Sequence, residues 1–299
     1  SLVDTALQSE ISKEVAGLPH SLSLGGSADN TIRAMARLGS EVGFIGKVGH
    51  DNTGDRFEQA LHNLGIEGKI FRGDNPSGKC ISLVSPDGER TMLTYLGAAA
   101  EMHAEDITPT IFEGYDCLYI EGYLVQEHSL IETAIRTAKE QGLQVAIDLA
   151  SFNVVEENLE FLRGIVAKYI DIVFANEDES FAYTHLNPEE AVENIAGQCD
   201  IAIVKVGKRG SYVRQGTQLH HIGAITSNCL DSTGAGDLYA GGFLHALSDG
   251  FDLRRCGEIG TIAAGRVVEI VGTKLPEETW DEIRRICALY RGFMHKLKF

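Results

Sequence analysis

The chain has 299 residues, 43% of them hydrophobic and 23% charged, which suits one large α/β domain or a core with a smaller attachment. Its formal net charge of −17 argues against nucleic acid or an anionic membrane as the main partner, so an anionic ligand must be held by backbone dipoles, a few basic side chains or a metal ion. The six cysteines (Cys80, Cys117, Cys199, Cys229, Cys256, Cys287) form no Cys-x-x-Cys pair, a pattern of reduced thiols rather than of a disulfide framework or a zinc site. No apolar stretch reaches membrane-spanning length and the opening SLVDTALQSEISKEV lacks the pattern of a signal peptide, so a cytoplasmic protein is expected.

In chain order, the first twenty residues carry Leu2, Ala6, Ile11 and Val15 at helical spacing and lead into SLSLGGSADN. A helix is expected over 30–38, stopped by Gly39, then a strand in EVGFIGKVG and a helix over 55–64. Residues 66–97 read as short strands separated by turn signals, IEGKIFRG, GKCISLVSP and RTMLTYLG, the texture of a small sheet attached to the main body. From about residue 107 continuous apolar runs alternate with amphipathic helices: strands at 117–122, 144–150, 170–179 and 200–210, and helices near 127–141, 156–168 and 188–197. That alternation predicts a mostly parallel sheet covered on both faces. The last third is helical, over about 236–248, 252–271 and 276–295.

In open α/β sheets, ligands bind beyond the carboxyl ends of the strands. EGYL, NEDE and GKRG fall there, together with DSTGAGD at 231–237. Glycine disfavours helix, so Gly234 and Gly236 at a helix start suggest close approach of a ligand to the backbone. Free N–H groups of Gly234, Ala235 and Gly236 would form an anion hole. Asp237 beside them suits a general base, because an alcohol accepting a phosphoryl group must lose its proton. The same aspartate also fits a first-turn carboxylate favoured by the helix dipole.

Asn176 and Glu179 fit either a helix cap or a pair holding metal-bound water near phosphates. Gly25, Gly26 and Asn30 fit a substrate-side turn or a plain capped helix. Gly207 and Gly210 fit a nucleotide-adjacent turn or a hairpin. Lys205 is unusual in an apolar strand and suggests an ammonium facing phosphates. Arg90 fits a phosphate clamp or a solvated side chain. Neither a GxGxxG fingerprint nor a P-loop is present.

In their order, GG-x-x-x-N, NxxE and D-x-TGAGD resemble the PfkB/ribokinase family of sugar and nucleoside kinases over nearly the whole chain. GGSADNTIRAMARLG, FIGKVGHDNTG, SPDGERTMLTYLGAA and YIEGYL resemble its adenosine-kinase-like branch. The resemblance implies a ribokinase-like α/β fold, with a core over 1–65 and 98–299 and a small β lid over 66–97 plus part of the N-terminal region. It further implies ATP with Mg²⁺ and phosphorylation of a primary hydroxyl on a sugar or nucleoside. Asp237 then corresponds to the base and Gly234–Gly236 to the anion hole. Asn176 and Glu179 correspond to the magnesium and phosphate motif, Glu179 acting on the metal through water. Gly25, Gly26 and Asn30 correspond to the substrate motif, and Arg90 to a lid arginine. Lys205, Gly207 and Gly210 are expected on the nucleotide side, and Asp231 and Thr233 in a loop associated with a monovalent cation such as K⁺.

Rival expectations are a fructose- or ribose-type kinase, an inosine or guanosine kinase, and a non-catalytic binding protein on the same fold. A monomer, or a homodimer through the lid, is expected. The family's opening strand, which ends in a substrate-binding aspartate, is not matched by SLVDTALQSE and is expected upstream of residue 1.

Overall fold

The computed structural model describes residues 3–18, 22–84 and 90–296. The first elements are α1 (Thr5–Glu14), α2 (Ser27–Leu38), β1 (Gly43–Gly49), α3 (Asn52–Asn63), β2 (Glu67–Gly73), β3 (Lys79–Val84) and β4 (Arg90–Tyr95). The middle of the chain runs β5 (Cys117–Glu121), α4 (His128–Glu140), β6 (Gln144–Asp148), α5 (Phe152–Glu157), α6 (Leu159–Tyr169) and β7 (Ile172–Asn176). It continues through α7 (Glu177–Thr184), α8 (Pro188–Ala196), β8 (Ile201–Lys205), β9 (Ser211–Gln215) and β10 (Gln218–Ile222), and closes with α9 (Ala235–Ser248), α10 (Leu253–Val267) and α11 (Glu277–Lys296).

These elements group into two compact units, one of residues 1–24 and 43–103 and one of residues 25–42 and 104–299. In the smaller unit β1 pairs in parallel with β2 and β3 pairs antiparallel with β4. Asp51 caps α3 from its own loop and also takes Ser77: Oδ1 accepts from the Gly54 N–H at 2.8 Å and the Ser77 hydroxyl at 2.7 Å, and Oδ2 from the Ser77 N–H at 2.8 Å. The sequence reading assigned residues 43–65 to the core. They belong instead with the small unit, because β1 spends its ladder on β2 over all seven of its residues.

The larger unit is built on a six-stranded sheet in the order β10-β9-β8-β7-β6-β5. β5 to β8 are parallel, while β9 and β10 form an antiparallel hairpin on the β8 edge. The fold is ribokinase-like α/β, as expected. The interior residues of β6, β7 and β8 are almost wholly excluded from solvent, which is why these strands read as unbroken apolar runs. Phe174 of β7 meets Phe243 of α9 edge-on, with ring centroids 5.4 Å apart.

α9 is buried from Leu238 to Ala246, so it is apolar on every side rather than amphipathic. A Cβ on Gly241 would stand 2.7 Å from the Thr31 carbonyl oxygen and 2.8 Å from the Ala34 Cβ. The missing side chain lets α2 lie directly against α9, and that contact carries side chains of α2 to the start of α9. Three local expectations change. The apolar run at 170–179 ends as a strand at Asn176 and turns into α7, the helix near 156–168 is preceded by a separate short helix, α5, and the strand expected over 200–210 ends at Lys205, with β9 and β10 following as a hairpin.

Candidate active site

The parallel strands β5, β6, β7 and β8 end at Glu121, Asp148, Asn176 and Lys205, and all four terminal residues line one cleft of about 290 Å³. Ser27, Tyr123, Ala150, Glu179, Gly207, Gly236 and Asp237 complete its lining. A sheet of this kind leaves its strand ends open for ligand, and here every one of those ends carries a polar side chain.

Gly234 caps α9 with a left-handed backbone, φ 75°, and a Cβ there would stand 2.5 Å from the Thr273 Cγ2. Only glycine meets both demands without strain. Among the described residues no acceptor takes the N–H of Gly234 or Gly236, whereas the N–H of Ala235 turns back to the Ser232 carbonyl at 3.3 Å. Two unclaimed donors thus stand at the positive end of a 14-residue helix. Asp237 lies in the first turn. Its Oδ1 accepts from the Ser27 hydroxyl at 2.7 Å and its Oδ2 from the Asn30 amide at 2.8 Å. Asn30 is oriented in turn by the Thr273 hydroxyl, which donates to its Oδ1 at 3.0 Å. Burial raises the Asp237 pKa above the usual carboxylate range, and the Asn30 and Ser27 donors work against that rise.

Lys205 Nζ lies 2.6 Å from Asp148 Oδ2 and 3.3 Å from where a Cβ on Gly236 would stand. Burial disfavours its ammonium, but the carboxylates of Asp148 and Glu179 outweigh this and hold the Lys205 proton more tightly than usual. Ala150 adopts φ 65°, uncommon for a residue with a Cβ, with its N–H on Asp148 Oδ1 at 3.1 Å. Asn176 and Glu179 form a complete capping box: the Glu179 N–H bonds Asn176 Oδ1 at 2.9 Å, and Glu179 Oε2 takes the Asn176 N–H at 2.7 Å. Burial and Asp148 push the Glu179 carboxyl up to about 7. Glu121 is pushed up to about 8 by burial, then by Asp148 and Asp237.

Four carboxyl groups, Glu121, Asp148, Glu179 and Asp237, therefore share the cleft with the single ammonium of Lys205. That donor set is short of positive charge and fits a divalent cation arriving with a phosphate ligand. Among the described residues no three His, Cys, Asp or Glu side chains form a metal-ligand set of their own, which leaves water to complete any coordination sphere.

Of the residues singled out from sequence, Gly236, Asp237, Asn176, Glu179, Lys205 and Gly207 line the cleft, and Asn30 reaches it through Asp237. Gly210 does not line it; a Cβ there would stand 1.8 Å from the Ile222 carbonyl oxygen, so this glycine serves the close packing of the hairpin. Gly25 and Gly26 precede α2 without lining the cleft. Asp231 is buried and clamps two loops, its Oδ1 taking the Thr233 N–H and its Oδ2 the Gly272 N–H, each at 2.7 Å. The SPDGE turn and the Arg90 side chain lie outside the described residues. Ser27 and Asp148 were not singled out, and Glu121 was read only as part of the EGYL stretch, with no role given to it. A carboxylate closing an apolar strand, as in YIE and AID, was the available signal for two of them.

The sequence profile described as pfkB family carbohydrate kinase matches residues 9–280. The chain belongs to the pfkB family. Its kinase relatives make it a phosphotransferase of the carbohydrate and nucleoside kinase group. The crystal structure of adenosine kinase from Sinorhizobium meliloti superposes with a TM-score of 0.88 at 31% identity, covering 96% of this chain and 89% of that one. A 5-dehydro-2-deoxygluconokinase from Lacticaseibacillus casei is 29% identical over 278 residues, 87% of this chain and 85% of the relative. A nucleoside kinase from Methanocaldococcus jannaschii is 26% identical over 264 residues, 87% of this chain and 83% of the relative. For a pfkB kinase, a cleft joining a carboxylate to unclaimed backbone donors is the feature on which phosphoryl transfer can be built.

Proposed function

We propose that this kinase transfers the γ-phosphoryl group of ATP to a primary hydroxyl of a nucleoside or sugar, with Asp237 as general base. The observation that carries the reading is the position of the Asp237 carboxylate, held by Ser27 and Asn30 beside the unclaimed N–H groups of Gly234 and Gly236. A hydroxyl entering this cleft loses its proton to Asp237 as it attacks. The two N–H groups and Lys205 face the charge that develops on the transferring group, in a setting where fixed donors count for more than in water.

Asn176 and Glu179 would hold Mg²⁺ through water, and the ion would supply the countercharge that the cleft lacks. Lys205 and Gly207 lie on the nucleotide side, with Asp231 and Thr233 fixing the loop behind the anion hole, where K⁺ is a further ligand to test. Gly25, Gly26 and Asn30 lie on the substrate side, and the small β unit takes the part of a lid.

An adenosine-like nucleoside is the leading substrate class, supported by the likeness to an adenosine kinase at 31% identity over nearly the whole chain. A keto-deoxy sugar acid is the second reading, supported by the 29% identity to a 5-dehydro-2-deoxygluconokinase. ADP release measured across adenosine, inosine, ribose, fructose and 5-dehydro-2-deoxygluconate separates them. Turnover on adenosine with none on the sugar acid supports the first, and the reverse supports the second. Tight binding of one compound without ADP release on any would favour a non-catalytic binding protein.

A further inference from the structure

Asn30 meets Asp237 with its amide nitrogen, Nδ2 donating to Oδ2 at 2.8 Å, and turns its carbonyl oxygen to the Thr273 hydroxyl at 3.0 Å. A side-chain amide has one end that donates and one that accepts, whereas an ionised carboxylate only accepts. Asn30 therefore serves Asp237 only while Nδ2 faces it. Turned over, the amide would set its oxygen against the carboxylate. Among the described residues the Thr273 hydroxyl is the one donor to Asn30 Oδ1, so it alone holds the amide from its far side.

Thr273 lies in the turn between α10 and α11, and that turn is tied to the loop that leads into α9. The Leu230 N–H bonds the Val268 carbonyl at 2.7 Å, and Asp231 takes the Thr233 N–H with one oxygen and the Gly272 N–H with the other. The Thr273 methyl occupies the space that a side chain on Gly234 would need. A Cβ there would stand 2.5 Å from the Thr273 Cγ2 and 3.8 Å from Asp237 Oδ2. These contacts close a ring. It runs from Asp237 to Asn30, on to Thr273, through Gly272 to Asp231, then to Thr233 and Gly234, from which α9 returns to Asp237. Thr273 uses both branches of its side chain in that ring, the hydroxyl on α2 and the methyl on the anion hole.

We propose that Thr273 is a positioning residue of the transfer reaction: its hydroxyl fixes the Asn30 amide, and through it holds the Asp237 carboxylate in register with the N–H groups of Gly234 and Gly236. The proposal rests on the reading of Asp237 as the base. Thr273 does not line the cleft, so its effect reaches the reaction through Asn30 rather than by contact with substrate or nucleotide.

Valine keeps the shape of threonine without the hydroxyl, and serine keeps the hydroxyl without the methyl, so the two replacements separate the branches. The test is the single-turnover rate of phosphoryl transfer, with KM for ATP, in the wild type, Thr273→Val and Thr273→Ser. T273V should transfer about tenfold more slowly, the scale of one hydrogen bond, with KM for ATP within about twofold of wild type. T273S should stay within about threefold of the wild-type rate. Equal rates in T273V and wild type overturn the proposal. A loss in T273S as large as that in T273V overturns it too, because the methyl and not the hydroxyl would then be what matters. Should T273V not fold, Thr273→Ala against T273S gives the same comparison, since those two differ only in the hydroxyl. Independently of activity, ¹⁵N NMR should show the Asn30 side-chain amide shifted in T273V and close to its wild-type position in T273S. That signal is identified by its loss in Asn30→Asp or, should that variant not fold, by its shift in Asp237→Asn. An Asn30 amide unmoved by T273V overturns the proposal as well. Full activity of Asp237→Asn would instead remove the base reading, an outcome that leaves the Asn30 amide shift as it is.

Discussion

Lys205 Nζ and Asp148 Oδ2 meet at 2.6 Å at the ends of two strands, β8 and β6, that are not neighbours in the sheet. The Lys205 and Asp148 side chains keep 15% and 9% of their exposure, and β7 runs between their strands, so the pair ties the sheet across the floor of the cleft. It also holds the ammonium beside Gly236, at the start of α9.

Breaking that pair on one side leaves a buried charge unpaired. Lys205→Met should destabilise the protein by about 3–5 kcal/mol, because Asp148 is then left with only the Ala150 N–H. Adding Asp148→Asn should recover part of the loss, with a coupling energy of about 1–3 kcal/mol in a double-mutant cycle measured by urea unfolding. Additive losses would mean the two side chains do not act as a pair.

Gly234 combines a left-handed backbone with a close neighbour, so Gly234→Ala must both strain the turn and push Thr273. The left-handed conformation alone costs about 1–2 kcal/mol. Displacing Thr273 also frees Asn30 from its orienting bond. We expect lower stability and lower turnover together, read by thermal unfolding and by initial rates. Wild-type stability in the Ala variant would show that another backbone arrangement serves equally well.

The strand-end carboxyls also set a pH dependence of stability. Glu121 and Glu179 hold their protons up to about 8 and about 7 in the folded protein, against an ordinary 4.5. Carboxyls raised in this way stabilise the fold below the unfolded value, and that stability is lost as pH rises through the folded values. Their joint contribution to ΔG of unfolding should therefore decline from about pH 4.5 to about pH 8. Glu121→Gln should flatten the upper part of this decline in denaturant titrations at several pH values. Parallel curves for the two proteins would contradict the assignment.

How much of this was legible beforehand differs by feature. The parallel sheet was readable because β6, β7 and β8 are buried on both faces and so carry unbroken apolar runs. Asp237 was readable because two glycines at a helix start conflict with ordinary helix preferences, which drew attention to the acid beside them. Asp148 escaped notice, and Glu121 was placed at a strand end without a role, because each is a single acid closing an apolar strand and only the sheet order brings them to one cleft. Ser27 escaped because its role depends on the approach of α2 to α9, more than 200 residues apart in the chain, and local sequence does not encode such a contact. Residues 43–49 were misassigned to the core because a strand's own sequence does not name its partner.

The most direct measurement is the single-turnover rate of phosphoryl transfer by Asp237→Asn, on the best substrate of the panel. The Asn side chain keeps the shape that Ser27 and Asn30 hold but cannot accept the hydroxyl proton. The account predicts a loss of about 10²–10⁴ in rate with nucleotide affinity and melting temperature retained. Transfer by this variant at the wild-type rate would contradict it.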